Sequence, residues 1–130
     1  MTIVELYDRA DRHGVQVDDV PMRVVSSVSF PDGWIALDTA RLETDAEEKV
    51  ALAHELGHVE TGSFYNLYSP YDIKAKHERR ADKRAIQLLV PREDLRRAVR
   101  SGISQPWDLA DHFGVTEAFM RKAMEYYRNA

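Results

Sequence analysis

The 130-residue chain has no cysteine. Disulfides, thiolate-bound metals and thiol nucleophiles are thereby excluded, and any metal site must be built from His, Asp and Glu. Long apolar runs are also missing: none approaches the roughly 18 residues needed to cross a bilayer. The first residues, Met-Thr-Ile-Val-Glu-Leu-Tyr-Asp-Arg, lack a basic stretch followed by an apolar one. No secretory signal is read there, and the expected location is cytoplasmic, with no membrane partner. Internal repeats, low-complexity tracts and an interdomain linker are absent too. What remains, 44% apolar and 31% charged, is the composition of an ordinary globular protein. The length fits one domain burying roughly two thirds of its unfolded surface.

Net charge is −4, unevenly spread. Residues 1–73 hold 14 Asp+Glu against 5 Lys+Arg, whereas residues 74–100 hold 4 against 10. A basic segment can attract nucleic acid. The overall acidic balance argues against direct nucleic-acid binding as the main role, and a solvated basic helix face is the simpler reading.

Local signals give an element order. Thr2 with Glu5 makes a capping box opening a first helix that His13-Gly14 closes. β-prone stretches follow at Val15–Val17, Arg23–Phe30 and Trp34–Leu37, the last two joined through Pro31-Asp32-Gly33 as a hairpin. Thr44 with Glu47, or equally Asp45 with Glu48, is a second capping box, predicting a helix over Ala46–Thr61 stopped by Gly62. Ser63–Asp72 reads as a loop, and helical periodicity returns over Ile73–Val90. Pro91 ends that helix and starts another through Arg100, with its ring at the first helical position. A short helix over Pro106–Phe113, stopped by Gly114, and a last one capped by Thr116 complete the chain. The class is α+β.

His54-Glu55-Leu56-Gly57-His58 is an H-E-x-x-H pattern on a helical segment. Residues i and i+4 share a helix face, so both imidazoles can reach one ion. A catalytic zinc wants a third protein ligand and an open position for water. At about 100° per residue, Ala75, Ala81, Ala85, Ile86, Leu88 and Leu89 lie within roughly 80° of Glu78. Asp82 falls on the same stripe, while Lys76, Arg79, Arg80, Lys83, Arg84 and Gln87 fall opposite. Two carboxylates thus sit on the face expected to be buried, where a carboxylate needs an ion or a partner. Glu78 is accordingly the expected third metal ligand. Asp82 is expected to fix a liganding histidine through its outer ring nitrogen. The competing reading pairs both carboxylates with arginines such as Arg79 or Arg41. His77 is a rival ligand but borders the basic face, and His13 and His112 end predicted helices and are read as structural.

Three ligands leave a position for water, and Glu55 is placed as general base for peptide-bond hydrolysis without a covalent intermediate. Gly57 costs its helix about 1 kcal/mol relative to alanine. Close approach of the second helix explains it as well as simple tolerance does. Tyr65, Tyr68 and Tyr71 are candidates to help hold the oxyanion. Trp34–Leu37, if it edges the sheet, could bind substrate by β-addition.

Three stretches in order, Ala51-Leu-Ala-His-Glu-Leu-Gly-His58, His77-Glu-Arg-Arg-Ala-Asp82 and Ala85-Ile-Gln-Leu-Leu-Val-Pro91, resemble the ImmA/IrrE family of metallopeptidases. The family pattern is H-E-x-x-H, then E-x-x-A-[ND], then a Leu-Leu-x-Pro helix end. Carried over residue by residue, the resemblance makes His54, His58 and Glu78 the zinc ligands and Glu55 catalytic. Arg80 stands where many relatives have a second acidic residue, a departure on the exposed face. The resemblance implies a minimal zincin-like fold: a small antiparallel sheet packed on an H-E-x-x-H helix and a Glu-bearing helix. Residues 1–100 would be the catalytic core of a single domain, with 101–130 a helical extension. It further implies a prophage or mobile-element setting and a helix-turn-helix repressor as the protein cleaved or inactivated.

Two other readings compete. Leu109-Ala-Asp-His-Phe-Gly-Val-Thr116 resembles the turn of a helix-turn-helix, as in a DNA-binding regulator. Its would-be recognition helix, however, carries Glu117 and Glu125 beside Arg121 and Lys122. The other reading is a catalytically idle adaptor that binds a repressor and keeps zinc for stability.

Overall fold

The Thr2 hydroxyl accepts a hydrogen bond from the Glu5 amide at 3.1 Å and the Glu5 carboxylate accepts one from the Thr2 amide at 3.4 Å, so the expected box opens the chain. The computed structural model describes residues 1–66 and 68–129. Its elements are α1 (Ile3–Arg12), β1 (Gln16–Asp19), β2 (Ser27–Ser29), β3 (Trp34–Leu37), α2 (Asp45–Thr61), α3 (Tyr71–Leu89), α4 (Arg92–Arg100), α5 (Pro106–Phe113) and α6 (Glu117–Asn129). None of these helices is long and apolar enough to cross a membrane. The α+β class holds.

The sheet is mixed rather than wholly antiparallel. Its order is β1-β3-β2, with β1 parallel to β3 and β2 antiparallel to it. The hairpin forms as expected, Gly33 taking a φ of +91° in its turn. Because β1 docks on the far side of β3, Trp34–Leu37 is the central strand and β2 a free edge.

Thr44 caps α2 by accepting from the Glu47 amide, but only half of the expected box forms. The Glu47 carboxylate reaches past the cap to the Glu43 amide at 3.0 Å. At the other end Gly62 adopts the left-handed conformation, φ +65°, and the Ser63 amide turns back to the His58 carbonyl at 3.0 Å. That Schellman-type closure folds Ser63 over the last turn of α2. Pro91 precedes α4 as its cap rather than occupying its first turn, since its ψ of 141° is extended. Leu67 lies outside the described residues.

The core gathers Leu6 of α1, Ile35 and Leu37 of β3, Leu52 and Leu56 of α2 and Ile86 and Leu89 of α3. Leu109, Phe119 and Met120 from α5 and α6 enter the same cluster. Tyr127 adds a hydrogen bond to the Val90 carbonyl at 2.7 Å, fastening α6 to the end of α3. Gly57 decides how closely α2 and α3 approach. A Cβ there would stand 2.4 Å from the Ala81 carbonyl oxygen, so backbone meets backbone at that crossing. Close approach, not tolerance, accounts for the glycine.

Candidate metal centre

His54 and His58 sit one turn apart on α2, facing Glu78 of α3. The two Nε2 atoms are 3.2 Å apart. Glu78 Oε2 lies 2.9 Å from His54 Nε2, and Oε1 lies 3.2 Å from His58 Nε2. Ligand bonds of about 2.0–2.1 Å in a tetrahedron place neighbouring donors about 3.3 Å apart. The three donors are therefore spaced close to the edges of one coordination polyhedron, and they are the described His/Asp/Glu group able to hold a metal ion.

The opposite ring nitrogens show why these edges face inward. His58 Nδ1 meets the Ser63 carbonyl at 2.5 Å. A carbonyl only accepts, so Nδ1 carries the hydrogen and Nε2 presents a lone pair to the site. The Gly62 turn is what brings that carbonyl into place. His54 Nδ1 meets Asp82 Oδ1 at 2.8 Å, the arrangement expected for an outer carboxylate that fixes a ligand's tautomer. Burial pushes the His54 imidazole down, but the Asp82 hydrogen bond and the charges of Glu55, Asp82 and Glu78 outweigh it and raise its pKa. Burial likewise pushes Asp82 up, and its bonds to His54 and Lys122 more than reverse that. The carboxylates gathered around His54 thus favour its charged form, and His54 and Lys122 favour the Asp82 carboxylate. Nitrogen and oxygen donors with an outer carboxylate suit zinc well, so the residues present fit the ion that the H-E-x-x-H spacing implies.

Among the described residues, neither carboxylate pairs with an arginine. Arg79 is exposed, and Arg41 bonds the Met22 and Val25 carbonyls instead. The cation beside Asp82 is Lys122, reaching in from α6 at 3.1 Å. Glu78 is less buried than its stripe predicts, with 38% of its side chain exposed against 7% for His58. Helical periodicity gives a direction but not a depth, and at Glu78 the stripe opens onto a cleft instead of the core.

That cleft, about 610 Å³, is floored by His54, Glu55, His58 and Glu78. Val24, Val25, Phe64 and Tyr65 also line it. Glu55 itself is buried and accepts two hydrogen bonds, from Ser27 Oγ to Oε2 and from Ser29 Oγ to Oε1, each 2.7 Å. Sequence reasoning missed both serines. The signal was the Ser-Val-Ser alternation, which puts two hydroxyls on one face of a strand. Of the three tyrosines only Tyr65 reaches the site, its hydroxyl donating to Glu78 Oε1 at 2.7 Å. That bond, with some burial, pushes its pKa up to about 12, so it stays a donor near neutrality. Tyr68 and Tyr71 are 91% and 86% exposed. His77 stacks on Tyr65, its buried Nδ1 without a hydrogen-bond partner among the described residues, and does not join the cluster. His13 caps α1 through the Arg9 carbonyl, and His112 lies against Phe113. Substrate pairing on Trp34–Leu37 is ruled out by that strand's central place. The edge beside the cleft is β2.

Residues 10–125 match the peptidase family described as the IrrE N-terminal-like domain. No curated protein and no solved structure gives a match.

Proposed function

The chain belongs to the IrrE N-terminal-like family of peptidases, and from that premise we propose that it is a zinc-dependent endopeptidase acting in the cytoplasm. The observation that carries this reading is the convergence of His54 Nε2, His58 Nε2 and a Glu78 oxygen, with the Glu55 carboxylate in the same cleft. His54, His58 and Glu78 are assigned as ligands, and Asp82 holds His54. Zinc bound there supplies Lewis acidity and an activated water.

The chain's own groups do the rest. Glu55 accepts a proton from the attacking water and delivers it to the leaving amine nitrogen. Tyr65, a protonated donor on the cleft wall, can turn from Glu78 to the oxygen of the scissile carbonyl as charge develops there. An extended peptide pairing with the β2 edge would pass over this floor, with Val24, Val25 and Phe64 offering apolar contact to its side chains. Every group assigned a step lies within residues 1–100. Residues 101–129 brace that core, Lys122 reaching Asp82.

The substrate proposed is a helix-turn-helix repressor of a prophage or mobile element, as the ImmA/IrrE resemblance implies. Support for the chain itself being a DNA reader is weaker: Arg121 is tied to Glu117 and Lys122 to Asp82. The test compares wild type with Glu55→Gln, counting zinc in each and incubating both with a candidate helix-turn-helix repressor. About one zinc in both is expected, with cleavage by the wild type alone. Equal zinc with cleavage by neither would favour the idle adaptor.

A further inference from the structure

Glu55 is buried and, among the described residues, forms no ion pair. A buried carboxylate needs hydrogen bonds, and here both come from β2: Ser27 on one oxygen, Ser29 on the other. The register of that strand gives the two serines a second property. Ser26 accepts from the Asp38 amide and the Phe30 amide donates to Trp34, while Val28 stands opposite Ala36. Ladder bonds alternate along an antiparallel pair, so the backbone groups of Ser27 and Ser29 face away from β3, toward the free edge. Their hydroxyls grip the base while their backbones form the rim of the cleft.

We propose that Ser27 and Ser29 are positioning residues that hold Glu55 in place for its work, setting base and cleft rim from one strand. The inference rests on the reading of Glu55 as general base. Each carboxylate oxygen has two lone pairs, and a hydroxyl uses one, leaving the other for a proton. A hydroxyl also fixes the group without neutralising it, as a guanidinium would. Without the two donors nothing described holds the carboxylate over the cleft, and the side chain is free to change rotamer toward water.

The test needs no substrate. Acetohydroxamate binds zinc sites and places a hydroxyl proton where a neighbouring carboxylate must accept it. Its affinity for the zinc-loaded protein, measured by calorimetry, therefore reads the placement of Glu55. The Ser27→Ala/Ser29→Ala pair should keep its zinc and its circular dichroism yet bind the probe about tenfold more weakly, the scale of one net hydrogen bond. Ser27→Thr/Ser29→Thr, which keeps both hydroxyls, should restore binding. A crystal structure of the zinc-loaded alanine pair should show the Glu55 carboxylate displaced. Probe affinity equal to wild type in the alanine pair would overturn the proposal. So would zinc loss in that pair, or a threonine pair as weak as the alanine one. The underlying reading fails differently: wild type would take up no zinc, or Glu55→Gln would bind the probe as tightly as wild type.

Discussion

Glu55 and Glu60 stand little more than one turn apart on α2, and their surroundings share almost nothing. Glu60 is clamped by two guanidinium groups: Arg9 of α1 bonds both its oxygens at 2.8 and 2.9 Å, and Arg84 of α3 adds a contact at 3.0 Å. Burial would push its carboxyl up, but the bonds to Arg9 and Arg84 bring it below its usual value. Three helices are fastened through that one side chain. Glu55 is held as firmly in geometry, but by two neutral hydroxyls, and among the described residues it has no ion-pair partner. The difference teaches how one helix serves two ends. A carboxylate that ties elements together is matched with permanent cations. The one proposed to move protons is positioned by groups that leave it able to accept one.

Changing each glutamate in turn should separate the two roles. Glu55→Gln should lower peptidase turnover by about 10²–10⁴-fold, the usual worth of a general base, with zinc content and melting temperature nearly unchanged. Asp82→Asn, which weakens the outer hold on His54, should cost about 10–100-fold in zinc affinity by chelator competition. Glu60→Gln should do the reverse of Glu55→Gln: zinc and turnover retained, stability reduced by about 1–3 kcal/mol in urea unfolding. Arg9 and Arg84 reach solvent, which keeps that figure below the cost of breaking a sealed pair. Gly57→Ala should lower stability by a similar amount, about 1–3 kcal/mol, because its methyl meets the Ala81 backbone and α2 must move off α3.

Acid should blur the comparison last and least. Because the folded state depresses the Glu60 pKa, its stabilisation is whole above the unfolded value of 4.5 and is lost as pH falls through the lowered one. The stability gap between wild type and Glu60→Gln should therefore close on acidification. A gap that widened instead would mean that the clamp is not what Glu60 supplies.

How much of this was readable beforehand depended on sequence distance. The His54–His58 spacing, the Thr2 and Thr116 caps and the Gly62 and Gly114 stops are local, and each behaves as its few neighbouring residues dictate. Glu78 could be read as well, because one helix face carries the pattern. Its exposure could not, since periodicity is silent on whether a face meets core or cleft. Strand order was hidden for the same reason: β2 has three residues, and nothing local in it says that β3 lies between it and β1. The Ser27–Glu55 and Lys122–Asp82 contacts join residues 28 and 40 positions apart. Only the packed fold brings them together.

X-ray absorption on the zinc-loaded protein tests the metal centre most directly. The account predicts one ion per chain with two imidazole nitrogens at about 2.0–2.1 Å, a carboxylate oxygen at about 2.0–2.2 Å and no sulfur, the imidazole signature halved in His58→Ala. Failure to take up zinc, or a spectrum with oxygen neighbours alone, would contradict it.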